Sequence, residues 1–249
     1  MTPREVISSA GGRRQYSKEV YRIVETQAGS AADFLVDDLE EQSVLESIID
    51  DFKPPAAIVS SEYHYLISTP FRYPPLKHGS RFGSRAQSSF YYASEEIQTC
   101  LAESAYYRFA FFEGMSEPYP HKVRSNHQLF SVATMTANGL DLTRVSEKLV
   151  SDTLQSKTDY QLPQNLGAAA RAEGYELIRF YSARLQAGIN VAIDNVDVII
   201  STTPTNITAV KCETFSVDGI ISMSLPKSFP LTFRRAQFLV NGHFPYPPK

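Results

Sequence analysis

Apolar residues recur every four positions along Ile97, Leu101, Ala105 and Phe109, the spacing of one helical face. Ser94 is placed to cap this helix, and Glu95 and Glu96 to meet the positive end of its dipole. A second stripe, Cys100, Tyr107, Ala110 and Phe111, lies nearly opposite, so the pattern predicts a helix buried on both sides. Glu103 falls on that second side, one turn from Cys100, Tyr106 and Tyr107. Upstream, residues 63–68 (YHYLIS) predict a strand that feeds a loop over residues 70–83. Pro70, Pro74 and Pro75 bar regular structure there, and Gly79 and Gly83 permit tight turns.

The remaining pattern mixes both periods. Residues 1–16 read as a mobile arm. Residues 19–26 (EVYRIVET) alternate as a strand, with a short helix the alternative. Ser30 with Asp33 opens a helical pattern through Ile49 that Pro54 and Pro55 end. We read residues 1–55 as an arm and helical addition covering one side of a catalytic domain at 56–249. Within the latter, residues 128–136 form a strand with a turn at Asn138–Gly139, and 142–150 a short helix. Residues 163–173 form a helix closed by Gly174. Strands follow over 175–181, delivering Ser182 at the end, and over 189–193. Further strands are expected in VDVIIS, NITAVKC, ISMSL and residues 231–240, before a tail at 245–248 too rich in proline for regular structure. Strands and helices so distributed, without repeat or linker, predict a single α+β domain.

At 249 residues and 43% hydrophobic content the chain can bury one substantial core. A net charge of −3 and a pI near 6.0 argue against direct nucleic-acid binding. Cys100 and Cys212 offer neither a disulfide framework nor a zinc cluster, and His121 and His127 lack metal-ligand spacing, so no metal is expected. No apolar run follows Arg4, Arg13 and Arg14, and none approaches the ~20 residues of a membrane span; cytoplasmic residence is expected.

The chemistry gathers between residues 70 and 108. A carboxylate among apolar neighbours is costly to ionise unless cations or donors answer it. Arg72 and Arg81, on a proline-stiffened loop just upstream, are the candidate cations, and guanidinium groups make paired hydrogen bonds to phosphate oxygens. Taken alone, Glu103 would be an ordinary surface glutamate, Ser182 a turn residue and either arginine a loop tie. Their order changes that reading.

Arg72-Tyr73, Gly79-Ser80-Arg81-Phe82, Tyr91-Tyr92-Ala93, Ala102-Glu103 and Tyr181-Ser182-Ala183-Arg184 together resemble the RES-domain proteins over residues 63–200. Tyr21-Arg22 is a rival for the opening Arg. The resemblance implies a core similar to ADP-ribosyltransferases, with a mixed or antiparallel sheet and flanking helices. It also implies a toxin that consumes NAD by splitting the nicotinamide–ribose bond, as glycohydrolase or phosphorylase, and a cognate helix-turn-helix antitoxin as partner. A mono-ADP-ribosyltransferase, or a non-catalytic binding protein of the same fold, is the alternative. On this reading Glu103, Arg72 and Ser182 are catalytic, and Arg72, Tyr73, Arg81, Tyr91 and Ser182 hold NAD, with Tyr92 replacing Tyr91 if the strand register shifts by one.

Overall fold

A computed structural model of the chain describes residues 1–26, 62–72 and 79–246. The helical pattern from Ser30, the stop at Pro54–Pro55 and Tyr73 lie outside the described residues. The fold is α+β, built on one mixed sheet of eight strands. Strands β1 (Arg13–Glu25), β2 (Tyr91–Ser94), β3 (Val123–Asp141), β4 (Leu177–Tyr181), β5 (Ile189–Ile193), β6 (Thr205–Phe215), β7 (Ile220–Ser224) and β8 (Leu231–Arg234) stand in the order β1-β2-β5-β4-β3-β6-β7-β8. β1 also pairs with β3 from Arg13↔Leu140 to Glu25↔His127. Strands β1, β2, β5, β4 and β3 therefore close into a ring, and β6, β7 and β8 extend from it. Only β3–β4 is parallel.

Residues 1–16 are no mobile arm. Helix α1 (Pro3–Ser9) opens with a capping box in which the Thr2 side chain accepts from the Glu5 amide and Glu5 Oε2 accepts from the Thr2 amide at 2.7 Å. Val6 and Ile7 bury its inner face. β1 then runs along β3, so the opening residues belong to the same sheet as the rest rather than to a layer laid over it. Pairing on that scale also carries β3 straight through Asn138–Gly139, where a turn was expected. Gly139 sits opposite Arg14, and a Cβ there would stand 3.0 Å from the Arg14 carbonyl oxygen.

Residues 63–68 do not form a strand. Helix α2 (Tyr65–Arg72) includes residues 65–68 and takes in Pro70, which the sequence assigns to a loop. It buries Leu66, Ile67 and Phe71 against Tyr91, Phe130 and Val191, and this tertiary packing overrides the local β-branched and aromatic bias. The long amphipathic pattern gives helix α3 (Ile97–Glu113), which packs across β1, β2 and β5. It starts later than predicted: Ser94 is the last residue of β2 and Glu96 is the N-cap. The first stripe is buried at Leu101, Ala105 and Phe109 and half-buried at Ile97, whereas Tyr107 and Phe111 of the second are 51% and 66% exposed. Helices α4 (Lys148–Leu154) and α5 (Gln161–Ala172) cover the other side of the ring with α1. A 3-10 turn at Leu142–Arg144 precedes α4, and another at Val196–Val198 replaces the strand expected in VDVIIS.

Glu95, expected in the first helical turn, instead anchors an ionic network. Its side chain is 4% exposed and takes Arg179 Nε at 2.6 Å, Arg179 Nη2 at 3.2 Å, Tyr16 Oη at 3.2 Å and the Lys18 ammonium. Arg179 Nη1 also reaches Asp141 at 3.2 Å and Thr143 at 2.7 Å. Burial pushes the Glu95 carboxyl up, but Arg179 and Lys18 together outweigh it and hold the group below its ordinary range. A carboxylate with a lowered folded-state value stabilises the fold fully above its unfolded value and loses that contribution as pH falls through the folded one. Glu95→Gln breaks a buried ion pair and is expected to cost on the order of 3 kcal/mol at neutral pH. Urea midpoints measured from pH 7 down to pH 3 should fall more steeply in the wild type than in the variant; equal slopes would refute the assignment.

Candidate functional site

The turn at Gly79–Gly83 is fixed from three sides. Ser80 N donates to the Gly83 carbonyl at 2.7 Å, and Gly79 takes φ +69°, where a Cβ would lie 2.4 Å from the same oxygen. Tyr92 Oη donates to Ser80 Oγ at 2.8 Å and accepts from the Phe82 amide at 3.0 Å. Phe82 is fully buried edge-on to Phe180, and α5 comes so close at Gly167 that a Cβ would sit 1.9 Å from the Phe82 carbonyl oxygen. Arg81 is thereby held at the rim of a cavity of about 580 Å³, well within the ~300–1,000 Å³ of small-molecule sites.

Three guanidinium groups line this cavity. Arg22, from β1, lies over the Tyr91 ring at 4.9 Å and donates Nη1 to the Tyr92 carbonyl at 2.7 Å. Arg81 lies over the Tyr160 ring at 4.6 Å and donates Nη1 to the carbonyls of Leu154 and Ser156 at 2.9 and 3.0 Å. Arg184, 8% exposed, sits 3.4 Å above the Tyr106 ring and donates Nη2 to Tyr160 Oη at 3.1 Å. Among the described residues, no carboxylate pairs with any of the three, and Arg22 Nε and Arg184 Nη1 are buried without a hydrogen-bond partner. Buried cationic donors without acceptors are costly, and an anionic ligand would satisfy them.

Glu103 is the carboxylate on the same wall. Its Oε1 accepts from Ser182 Oγ at 2.7 Å and from Asn190 Nδ2 at 2.6 Å. Among the described residues Oε2 receives no hydrogen bond, which leaves it for a ligand. Ser182 Oγ in turn accepts from the amides of Arg184 at 3.0 Å and Leu185 at 3.1 Å. A hydroxyl has one proton and two lone pairs, so Ser182 is saturated by holding Glu103 and the following turn. It is 3% exposed and does not itself line the cavity.

The structure thus brings together Glu103, Arg81 and, through Glu103, Ser182. Arg72 ends α2 and is not on the cavity wall, although Thr69 and Pro70 of the same helix are. Arg22, the rival, takes that place. Tyr91 is fully buried with its ring against Phe71, and burial pushes its hydroxyl up to about 12; Tyr92 is the strand residue that faces the cavity. Cys100 lines the wall too, but burial raises its thiol to about 12, which removes it as a nucleophile. Tyr160 and Asn190 were not anticipated. Asn190 could have been noticed as the one polar residue in the apolar strand INVAI, and Arg184 as the second residue after Ser182; the loop position of Tyr160 carries no such signal. Among the described residues no three His, Cys, Asp or Glu side chains group as metal ligands, and no helix is long and apolar enough to cross a membrane.

A cavity lined by three guanidinium groups and one braced carboxylate has the chemistry to receive an anionic group. The family model of the RES domain matches residues 54–205, and the chain belongs to that family. The fold is similar to a chain in the crystal structure of the M. tuberculosis MbcT–MbcA toxin–antitoxin complex, at 12% identity over 86% of this chain and 93% of that chain, with a TM-score of 0.44. No curated protein matches the sequence.

Proposed function

We propose that this protein consumes NAD by cleaving the bond between nicotinamide and ribose, and that it acts as the toxin of a toxin–antitoxin pair. The observation that carries the reading is Glu103, braced through Oε1 on the wall of a cavity whose arginines lack carboxylate partners among the described residues. Arg22, Arg81 and Arg184 offer three positive charges to a diphosphate, and binding energy from that remote group orients the reacting bond. As the C–N bond breaks, its electron pair moves to the pyridinium nitrogen and nicotinamide leaves as a neutral ring. Positive charge then builds on the ribose anomeric carbon, as in glycoside hydrolysis. The Glu103 carboxylate stabilises that charge electrostatically, or holds a ribose hydroxyl.

Water attacking the anomeric carbon gives ADP-ribose and one proton; phosphate gives the phosphorylated sugar; a protein side chain gives an ADP-ribosylated protein. We rank the small acceptors first, because the cavity is of small-molecule size and Glu103 is part-buried within it. Family membership supports the toxin role, with a cognate helix-turn-helix antitoxin as partner in the cytoplasm and no metal in the reaction. The testing experiment is chromatographic analysis of NAD incubated with the purified protein: free nicotinamide together with ADP-ribose or its phosphate is expected, and intact NAD overturns the proposal.

A further inference from the structure

The strand that supplies Asn190 is otherwise apolar, Ile189 and Val191–Ile193, so a 5%-exposed amide in it needs a physical reason. Its nitrogen donates to Glu103 Oε1 at 2.6 Å, and its oxygen accepts from Ser94 Oγ at 2.6 Å. Ser94 is the cross-strand partner of Asn190 on β2 and is 3% exposed. A carboxylate only accepts, so the amide nitrogen must face Glu103; the amide oxygen then points away and requires a donor, which the Ser94 hydroxyl provides. The chain Ser94–Asn190–Glu103 has one consistent polarity from end to end. Together with Ser182 it fixes the carboxylate plane from two directions and keeps both bonds on Oε1.

We infer that Asn190, oriented by Ser94, is a positioning residue that holds the Glu103 carboxylate aimed during NAD cleavage, an inference that rests on the function proposed above. The charged and titratable groups facing the same space are Tyr21 and Arg22 from β1, Tyr92 from β2, Arg81 from the turn, Tyr160 and Arg184 from the far wall, and Cys100 and Tyr107 from Glu103's own helix. None of them duplicates the hydrogen bond of Asn190 to Oε1 among the described residues. The residue is thus the sensitive point of the support.

The test is the pH dependence of nicotinamide release by the wild type, Asn190→Asp and Ser94→Ala. Asn190→Asp is isosteric but sets two carboxylates at hydrogen-bond distance, which cannot both be ionised at ordinary acidity. The acid limb of its kcat profile is expected to move up by more than about one pH unit. Ser94→Ala removes only the hydroxyl that fixes the amide, and is expected to lower kcat about tenfold at unchanged KM; it carries the test alone if Asn190→Asp fails to fold. A merely structural residue would lower the melting temperature and leave the profile and the kcat of the folded protein unchanged. Wild-type activity with both variants matching it in kcat and profile overturns this inference alone. A wild type that releases no nicotinamide overturns the function and the inference together.

Discussion

Glu103→Gln is expected to lower nicotinamide release about 10²–10³-fold with NAD affinity nearly unchanged. Glutamine keeps the volume of the side chain and an oxygen that can accept from Ser182 and Asn190, so the support at 2.7 and 2.6 Å survives. Only the charge is lost. Electrostatic stabilisation of charge that develops in the transition state affects kcat, whereas affinity resides in the groups that hold the unreacted dinucleotide. Single-turnover kinetics and equilibrium binding of NAD separate the two. A variant that loses affinity and keeps kcat would make Glu103 a binding residue.

Arg22→Ala is expected to raise KM for NAD about 10–100-fold, the worth of a charge-assisted hydrogen bond of ~1.5–3 kcal/mol, while Arg72→Ala changes it less than about twofold. Arg22 lines the cavity, stacks on Tyr91 and keeps Nε buried without a partner. Arg72 is at the end of α2 and off the wall. Because Arg22 also ties the Tyr92 carbonyl, Arg22→Lys is the companion variant: it retains charge but loses the planar fork, and intermediate KM is expected. Steady-state kinetics on the three variants decide the matter, and a larger effect at Arg72 than at Arg22 would reverse the assignment.

That pair of arginines shows where the chain is readable and where it is not. In sequence, Arg72 is the nearer of the two to the Gly79–Gly83 turn. Spatial proximity came instead from β1 running beside β2 and β3, a long-range pairing that no local pattern announces. Helix α3 and the position of Glu103 were legible because an i+4 stripe survives any tertiary context. Helix α5 was legible from the proline in its first turn and the closing Gly174, but the purpose of Gly167 appears only when Phe82 lies against it. Helix α2 was misread because an aromatic, β-branched stretch is helical here through the burial of Leu66, Ile67 and Phe71. The capping box at Thr2 and Glu5 is written in the sequence, but a seven-residue helix leaves little periodicity to support it. Ser182 was found through its motif, but its saturation by Glu103 and two amides is a matter of coordinates.

The most direct measurement follows the nicotinamide resonances of NAD by proton NMR in the presence of purified wild-type protein, with Glu103→Gln alongside. Free nicotinamide accumulating with the wild type and hardly at all with the variant is the expected result. NAD surviving intact at stoichiometric protein, or breaking down equally in both samples, would contradict the role given to the carboxylate.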